Sequence, residues 1–276
     1  MRNRLIVFFL LVFFGSRCFA QQLEDTPAEI IYKRVDTISL QMQVVYPSHM
    51  EKDRYYPCMV FFFGGGWING KITQFKPEAD YFTKRGMVCF LVDYRVRSRQ
   101  GTTPFDALKD AKSAVRFIRE HAGIFHIDKN RVVASGGSAG GQLAAATALI
   151  DGYNESTDNL AVSAIPNALV LFNPVIDNGP GGYGFGRIGE AYKNFSPLHN
   201  IKKGAPPTVI FLGREDKLIP AATAEYYKTV MQKVGSRCEL FLYDGAGHGF
   251  FNRPEYMKKT LVEADKFLNA IGILHQ

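Results

Sequence analysis

Apolar and polar positions alternate along the chain in two different rhythms. Continuous or period-two apolar runs occupy residues 37–46, 58–63, 87–93, 131–134, 168–172, 208–212 and 239–243. Several are rich in Val, Ile and Phe, side chains that fit a pleated buried surface, and each predicts a strand. The segments between them follow the helical repeat. In residues 105–121 the apolar side chains Phe105, Leu108, Ala111, Val115 and Ile118 recur every three or four positions and form one stripe. Pro104 stands where proline suits a helix start. Further helices are predicted at 139–150, 221–234 and 255–270. Strand–helix alternation of this kind implies an α/β fold, with a mostly parallel central sheet covered by helices on both faces.

Neither an internal repeat nor a low-complexity linker interrupts the pattern, so residues 21–276 read as a single domain. One stretch, residues 173–207, lacks clear periodicity and contains Gly-Pro-Gly-Gly-Tyr-Gly-Phe-Gly at 179–186. Long irregular segments within compact domains tend to serve as lids or binding loops, and a lid-like insertion is expected here.

The first twenty residues have a separate character. Arg2 and Arg4 precede an unbroken apolar run at 5–14, and Cys18-Phe19-Ala20 ends the stretch before Gln21. A positive start, a short apolar run and a small residue at the end describe a secretory signal peptide cleaved after Ala20. The run is too short to span a bilayer as a helix, which takes about twenty residues. Cys18 raises the alternative of lipidation, which Arg17 and Phe14 suit poorly. The expected product is secreted or periplasmic, with no stable membrane insertion.

Composition changes this picture little. Of 276 residues, 46% are hydrophobic and 21% charged, which excludes wholesale disorder, collagen and coiled coil. The 33 Lys and Arg against 26 Asp and Glu give +7, and setting aside Arg2, Arg4 and Arg17 leaves 30 against 26. The basic residues are scattered, whereas a nucleic-acid binder concentrates them in a patch or stripe. Cleavage would leave three cysteines, Cys58, Cys89 and Cys238, each within an apolar run. Their odd number prevents full pairing, and no CxxC or Cys/His metal spacing occurs. Buried free thiols are expected, with a Cys58–Cys89 bridge left open.

Three short motifs bear the chemistry. Gly136-Gly137-Ser138-Ala139-Gly140 matches G-x-S-x-G between the predicted strand at 131–134 and an alanine-rich helix. A serine on so sharp a strand-to-helix turn is held outward, and the helix points its positive end at it. The bland reading makes Ser138 a helix cap. Phe63-Gly64-Gly65-Gly66-Trp67 ends another strand, and successive glycines let backbone N–H groups converge on one point, as an oxyanion hole requires; alone, the same glycines read as a flexible turn. The third motif is a pair. Asp216 follows the strand at 208–212 and His248 follows the strand at 239–243, so the order is serine, acid, histidine. A hydroxyl needs a base to remove its proton, and the base needs an acid to set its tautomer. Glu215 and Asp244 are weaker candidates for the acid.

These residues resemble the α/β-hydrolase superfamily, and within it the hormone-sensitive-lipase-like, acetylxylan esterase and feruloyl esterase branch. The markers are Phe63–Trp67, Val92-Asp93-Tyr94-Arg95, Pro104-Phe105-Asp106-Ala107, Gly136–Gly140 and the Asp216 and His248 segments, with Ser196-Pro197-Leu198 and Ala205-Pro206-Pro207 between them. The resemblance covers nearly the whole chain beyond residue 20. It implies oxyanion donors at Gly65, Gly66 and Ala139, and a structural role for Asp93-Tyr94-Arg95 in buttressing that loop. It departs from the family at Phe63, where a histidine is usual, which puts the loop's geometry rather than the chemistry in question. The implied reaction is serine ester hydrolysis without metal or organic cofactor, on a small-molecule or polysaccharide ester carrying acetyl or feruloyl groups. Trp67, Tyr183 and Phe185 are candidate substrate contacts, with packing as the competing role. A prolyl-oligopeptidase-like peptidase, a lactonase and a non-catalytic carbohydrate-binding relative are the alternatives.

Overall fold

The most apolar runs become the middle of an eight-stranded sheet. A computed structural model of the protein describes residues 28–274, so the signal-peptide reading and Cys18 lie outside the described residues. The strands are β1 (Glu29–Val35), β2 (Ile38–Val45), β3 (Tyr56–Phe62), β4 (Val88–Val92), β5 (Ile127–Gly137), β6 (Ala168–Phe172), β7 (Thr208–Gly213) and β8 (Cys238–Tyr243). Their order across the sheet is β1-β2-β4-β3-β5-β6-β7-β8. β1 and β2, and β2 and β4, pair antiparallel; every later neighbour pair is parallel.

Side chains leave successive strand positions on opposite faces, and this divides the core in two. Val60, Phe62, Leu169, Leu171, Ile210 and Leu212 face one layer, while Met59, Phe61, Val170, Phe172, Val209 and Phe211 face the other. Three helices cover the first layer: α3 (Pro104–Glu120), α4 (Ala139–Leu149) and α6 (Ala221–Lys233). The second is covered by α1 (Lys76–Lys84) and α7 (Pro254–Ala270). A short α2 (Arg97–Gln100) lies between β4 and α3. α3 begins with a capping box in which Thr103 Oγ1 accepts from Asp106 N and the Asp106 carboxylate accepts from Thr103 N. α4 is buried along its whole length. Its alanines let it sit close to the sheet beneath α3.

The predicted strands and helices recur within a few residues of their expected ends. β1 and α1 are additions that the apolar pattern does not reveal. Cys58 and Cys89 sit on adjacent strands but face opposite layers, so the bridge left open by the sequence does not form; all three described cysteines are free thiols. Burial pushes each of them up from the usual thiol range. Segment 173–207 contains α5 (Phe185–Ile188) and 3-10 turns at Gly189–Asn194 and Pro197–Asn200, and it buries Val175, Ile176, Phe195 and Ser196 against the body. Among the described residues no helix is long and apolar enough to cross a membrane.

α1 carries an unusual burden. Glu78 is buried and its Oε2 has no hydrogen-bond partner. Burial pushes its carboxyl from 4.5 up to about 7. The folded chain therefore holds this proton through a pH range in which the unfolded chain releases it. Stability is fullest in mild acid and declines as pH rises toward about 7, by about 3 kcal/mol if the whole shift is expressed. Glu78→Gln removes the cost of ionisation. Thermal melts should show a Tm gain of several degrees over wild type at about pH 8 and little gain at about pH 5; equal gains at both would show that Glu78 does not titrate in this way.

Candidate active site

Ser138 joins β5 to α4 with φ 54° and ψ −118°, a region that side chains rarely adopt. The turn is held from several sides. Ser138 N donates to Phe172 O, and Ser138 O accepts from both Gln142 N and Val175 N. Its hydroxyl makes no capping bond to the helix, so it is not the cap of the bland reading. The glycines are demanded by close approach. A Cβ on Gly140 would lie 2.0 Å from Phe62 O, and one on Gly136 would lie 2.5 Å from the Gly140 carbonyl.

His248 and Asp216 arrive from the loops after β8 and β7. His248 Nε2 lies 2.9 Å from Ser138 Oγ, and His248 Nδ1 lies 2.7 Å from Asp216 Oδ2. The other carboxylate oxygen accepts from Leu218 N at 2.9 Å and Ile219 N at 3.0 Å. Three donors thus converge on a side chain with no exposed surface, while the imidazole is partly open to the cleft. The two loops are stitched together by Glu215 N donating to Ala246 O. Glu215 and Asp244 stand outside this arrangement, and Asp244 pairs with Arg214 at the surface. With Nδ1–H donated to the carboxylate, Nε2 is free to accept the serine proton.

The glycine loop follows β3. Gly65 has φ 127° and Gly66 φ 64°. Gly64 N is already engaged by Gln74 Oε1 at 2.7 Å, whereas the N–H groups of Gly65, Gly66 and Ala139 have no acceptor among the described residues. Phe63, at the position of the familial departure, stacks on Tyr94 with centroids 4.0 Å apart, and Tyr94 Oη donates to Phe63 O at 2.6 Å. Two further bonds tie the segment to the loop, Arg97 N to Trp67 O and Ser98 N to Ile68 O. A stacked ring and a hydroxyl on the backbone thus hold the loop here. Arg187 adds a bond to Gly66 O at 2.5 Å and lies over the rings of Trp67 and Tyr183.

A cleft of about 650 Å³ opens above these groups, lined by Gly65, Gly66, Ser138, His248 and Tyr183 together with the amides Asn69, Gln74, Asn173 and Asn252. Of the candidate substrate contacts, only Tyr183 reaches it. Trp67 is buried against Phe195 and Tyr183, and the half-buried Phe185 packs against Tyr192; neither lines the cleft. Ala139 is buried beneath the serine turn and offers only its backbone. Asn173 escapes sequence reasoning because an asparagine before a proline reads as an ordinary turn. Its signal is its place at the end of β6, between the serine strand and the acid strand. Among the described residues no cluster of three metal-ligating side chains occurs.

The chain is similar to several known proteins. The BD-FAE family model matches residues 42–179. Thermogutta terrifontis esterase 2, in a form phosphorylated by paraoxon, is 40% identical with a TM-score of 0.85, the match covering 91% of this chain and 97% of that one. The same esterase with butyrate bound gives 39% and 0.85, covering 91% and 96%. An acetylxylan esterase of Xylanibacter ruminicola is 28% identical over 204 residues, 68% of this chain; the chain spans only 39% of the length of that curated relative. The sheet order, the serine turn and these likenesses lead to one assignment: the chain belongs to the BD-FAE family of α/β-hydrolase-fold esterases.

Proposed function

We propose that this protein hydrolyses carboxylic esters by two-step acyl transfer through Ser138. The observation that carries this reading is the continuous relay from Asp216 through His248 to Ser138, with contacts of 2.7 and 2.9 Å. His248 Nε2 takes the hydroxyl proton as Ser138 Oγ attacks the ester carbonyl, and Asp216 holds the ring and stabilises its charged form. The charge that develops on the carbonyl oxygen is met by the N–H groups of Gly65, Gly66 and Ala139, each such donor contributing about 10²–10³ in rate. His248 then returns the proton to the leaving alcohol. Water repeats the sequence on the acyl-enzyme and releases the acid.

For the natural substrate we propose an acetyl or feruloyl ester on an oligosaccharide or polysaccharide. The support is chemical. Asn69, Thr73, Gln74 and Asn252 line the cleft with donors and acceptors suited to sugar hydroxyls, and one relative is an acetylxylan esterase. A secreted or periplasmic location, proposed from the pattern of residues 1–20, suits a polymeric substrate.

Ser138→Ala should lower p-nitrophenyl acetate hydrolysis by at least about 10⁴-fold while urea unfolding stays cooperative. A fluorophosphonate should label the wild type at Ser138 and leave the variant unmodified. An active variant would overturn the assignment of Ser138 as the nucleophile. Wild-type activity should also decline on acidification as His248 gains a proton, and a flat profile between about pH 5 and 8 would count against a histidine base. Acetylated xylan, methyl ferulate, short p-nitrophenyl esters and a proline peptide, assayed side by side, test the substrate; preference for the peptide would overturn the carbohydrate-ester reading.

A further inference from the structure

A fourth polar side chain meets the relay. Asn173 follows β6 directly, is fully buried and has φ 33°. Its backbone N donates to Phe211 O at 2.7 Å, its Oδ1 accepts from Gly249 N at 3.2 Å, and its Nδ2 lies 3.5 Å from His248 Nε2. The Gly249 bond decides which way the amide faces: the oxygen is taken by a backbone N–H, so the NH₂ group is turned to the imidazole. Sheet geometry explains the contact. Three strand spacings, roughly 14 Å, separate β5 from β8, and to reach Ser138 the ring of His248 passes over the end of β6.

At rest this bond is long, and Ser138 Oγ at 2.9 Å is the main partner of Nε2. The balance changes once Ser138 is acylated. Its oxygen then bears no proton, and the donor left beside Nε2 among the described residues is Asn173. We infer that Asn173 is a positioning residue for deacylation, holding Nε2 of His248 toward the cleft until the hydrolytic water takes the amide's place at its one lone pair. In that step water adds to the acyl carbonyl and gives a proton to Nε2. The bond between the carbonyl carbon and Ser138 Oγ breaks, the proton passes to Oγ, and the carboxylic acid leaves. Asn173 is also among the residues that line the cleft.

The inference rests on the esterase reading, and its test separates the two. Asn173→Gly keeps the positive φ and removes the amide. Asn173→Asp keeps an acceptor for Gly249 N and replaces the donor. With p-nitrophenyl acetate in stopped flow, both variants should release a burst of nitrophenol followed by a steady rate about tenfold below wild type, with KM falling alongside kcat as acyl-enzyme accumulates. Asn173→Asp should also move the acid limb of the pH–rate profile upward by on the order of one unit, because a carboxylate beside the ring favours its charged form. The titratable groups already facing His248 are Asp216 at Nδ1 and Lys71 and Tyr183 across the cleft; both variants leave them in place. A purely structural role in anchoring Gly249 predicts a different result, a damaged Asn173→Gly and an Asn173→Asp that matches wild type with no burst, and that result overturns the inference. So does steady turnover within about twofold of wild type in both. Wild-type protein that cleaves no ester overturns the esterase reading and this inference with it.

Discussion

Two stretches of backbone approach each other more closely than any side chain would allow, and the site is built on that approach. The Gly140 position lies against the carbonyls of Phe62 and Phe63, where a Cβ would come within 2.0 and 2.4 Å of oxygen. The same contact therefore places the serine turn and the root of the glycine loop. The serine turn and the root of the loop are thus set against each other main chain to main chain, and the side chains of Gln74 and Tyr94 hold the loop from there. Such preorganisation is what electrostatic stabilisation of a developing oxyanion needs, because donors already in place do not have to reorient during the reaction. The unfavourable φ of Ser138 is the visible cost, and bonds to Phe172, Gln142 and Val175 hold it there.

Sheet order does the rest. β5, β6, β7 and β8 are successive parallel neighbours, and the C-terminal end of each presents one polar group to the same place: Ser138, Asn173, Asp216 and His248. Parallel strands bring their C-terminal ends to one edge of the sheet, where α/β folds place their ligand crevices. The histidine comes from the farthest strand, so the acid from β7 meets its Nδ1 face and the asparagine from β6 meets its Nε2 face. Each contact follows from the order in which the ring crosses its neighbours.

What was legible in the sequence was local. Ser138, Asp216 and His248 stand out because each follows an apolar run and is flanked by turn residues, a pattern visible within ten positions. β1 was not legible because its two buried positions, Tyr32 and Lys33, are adjacent rather than alternating and one is charged; the lysine is buried against Asp110 and Glu155, partners 77 and more residues away. α1 hides its stripe for a similar reason, with Glu78 and Thr83 among its buried positions. Trp67 and Phe185 are aromatic and neighbour the motifs, yet only packing distinguishes a ring that lines a cleft from one that supports its wall. Asn173 depends on the order of strands, which no local window contains.

The buried charges behind the glycine loop are better understood through function than through stability. Arg95 grips Asp110 with Nε and Nη2 at 2.8 Å, its backbone N donates to the same carboxylate, and Lys33 at 2.7 Å completes the group. A buried ion pair recovers its desolvation only when every charge is satisfied, and an apolar cluster of the same volume would serve stability as well. An apolar cluster would not, however, define direction. Arg95 directly follows Tyr94, the residue whose hydroxyl holds Phe63 O, and the fork on Asp110 sets the backbone there at one angle. Through Tyr94 the orientation reaches the loop that bears Gly65 and Gly66. What the network adds beyond burial is therefore direction at the root of the glycine loop, and removing one of its partners, which strands the opposite charge in the interior, should cost stability as well.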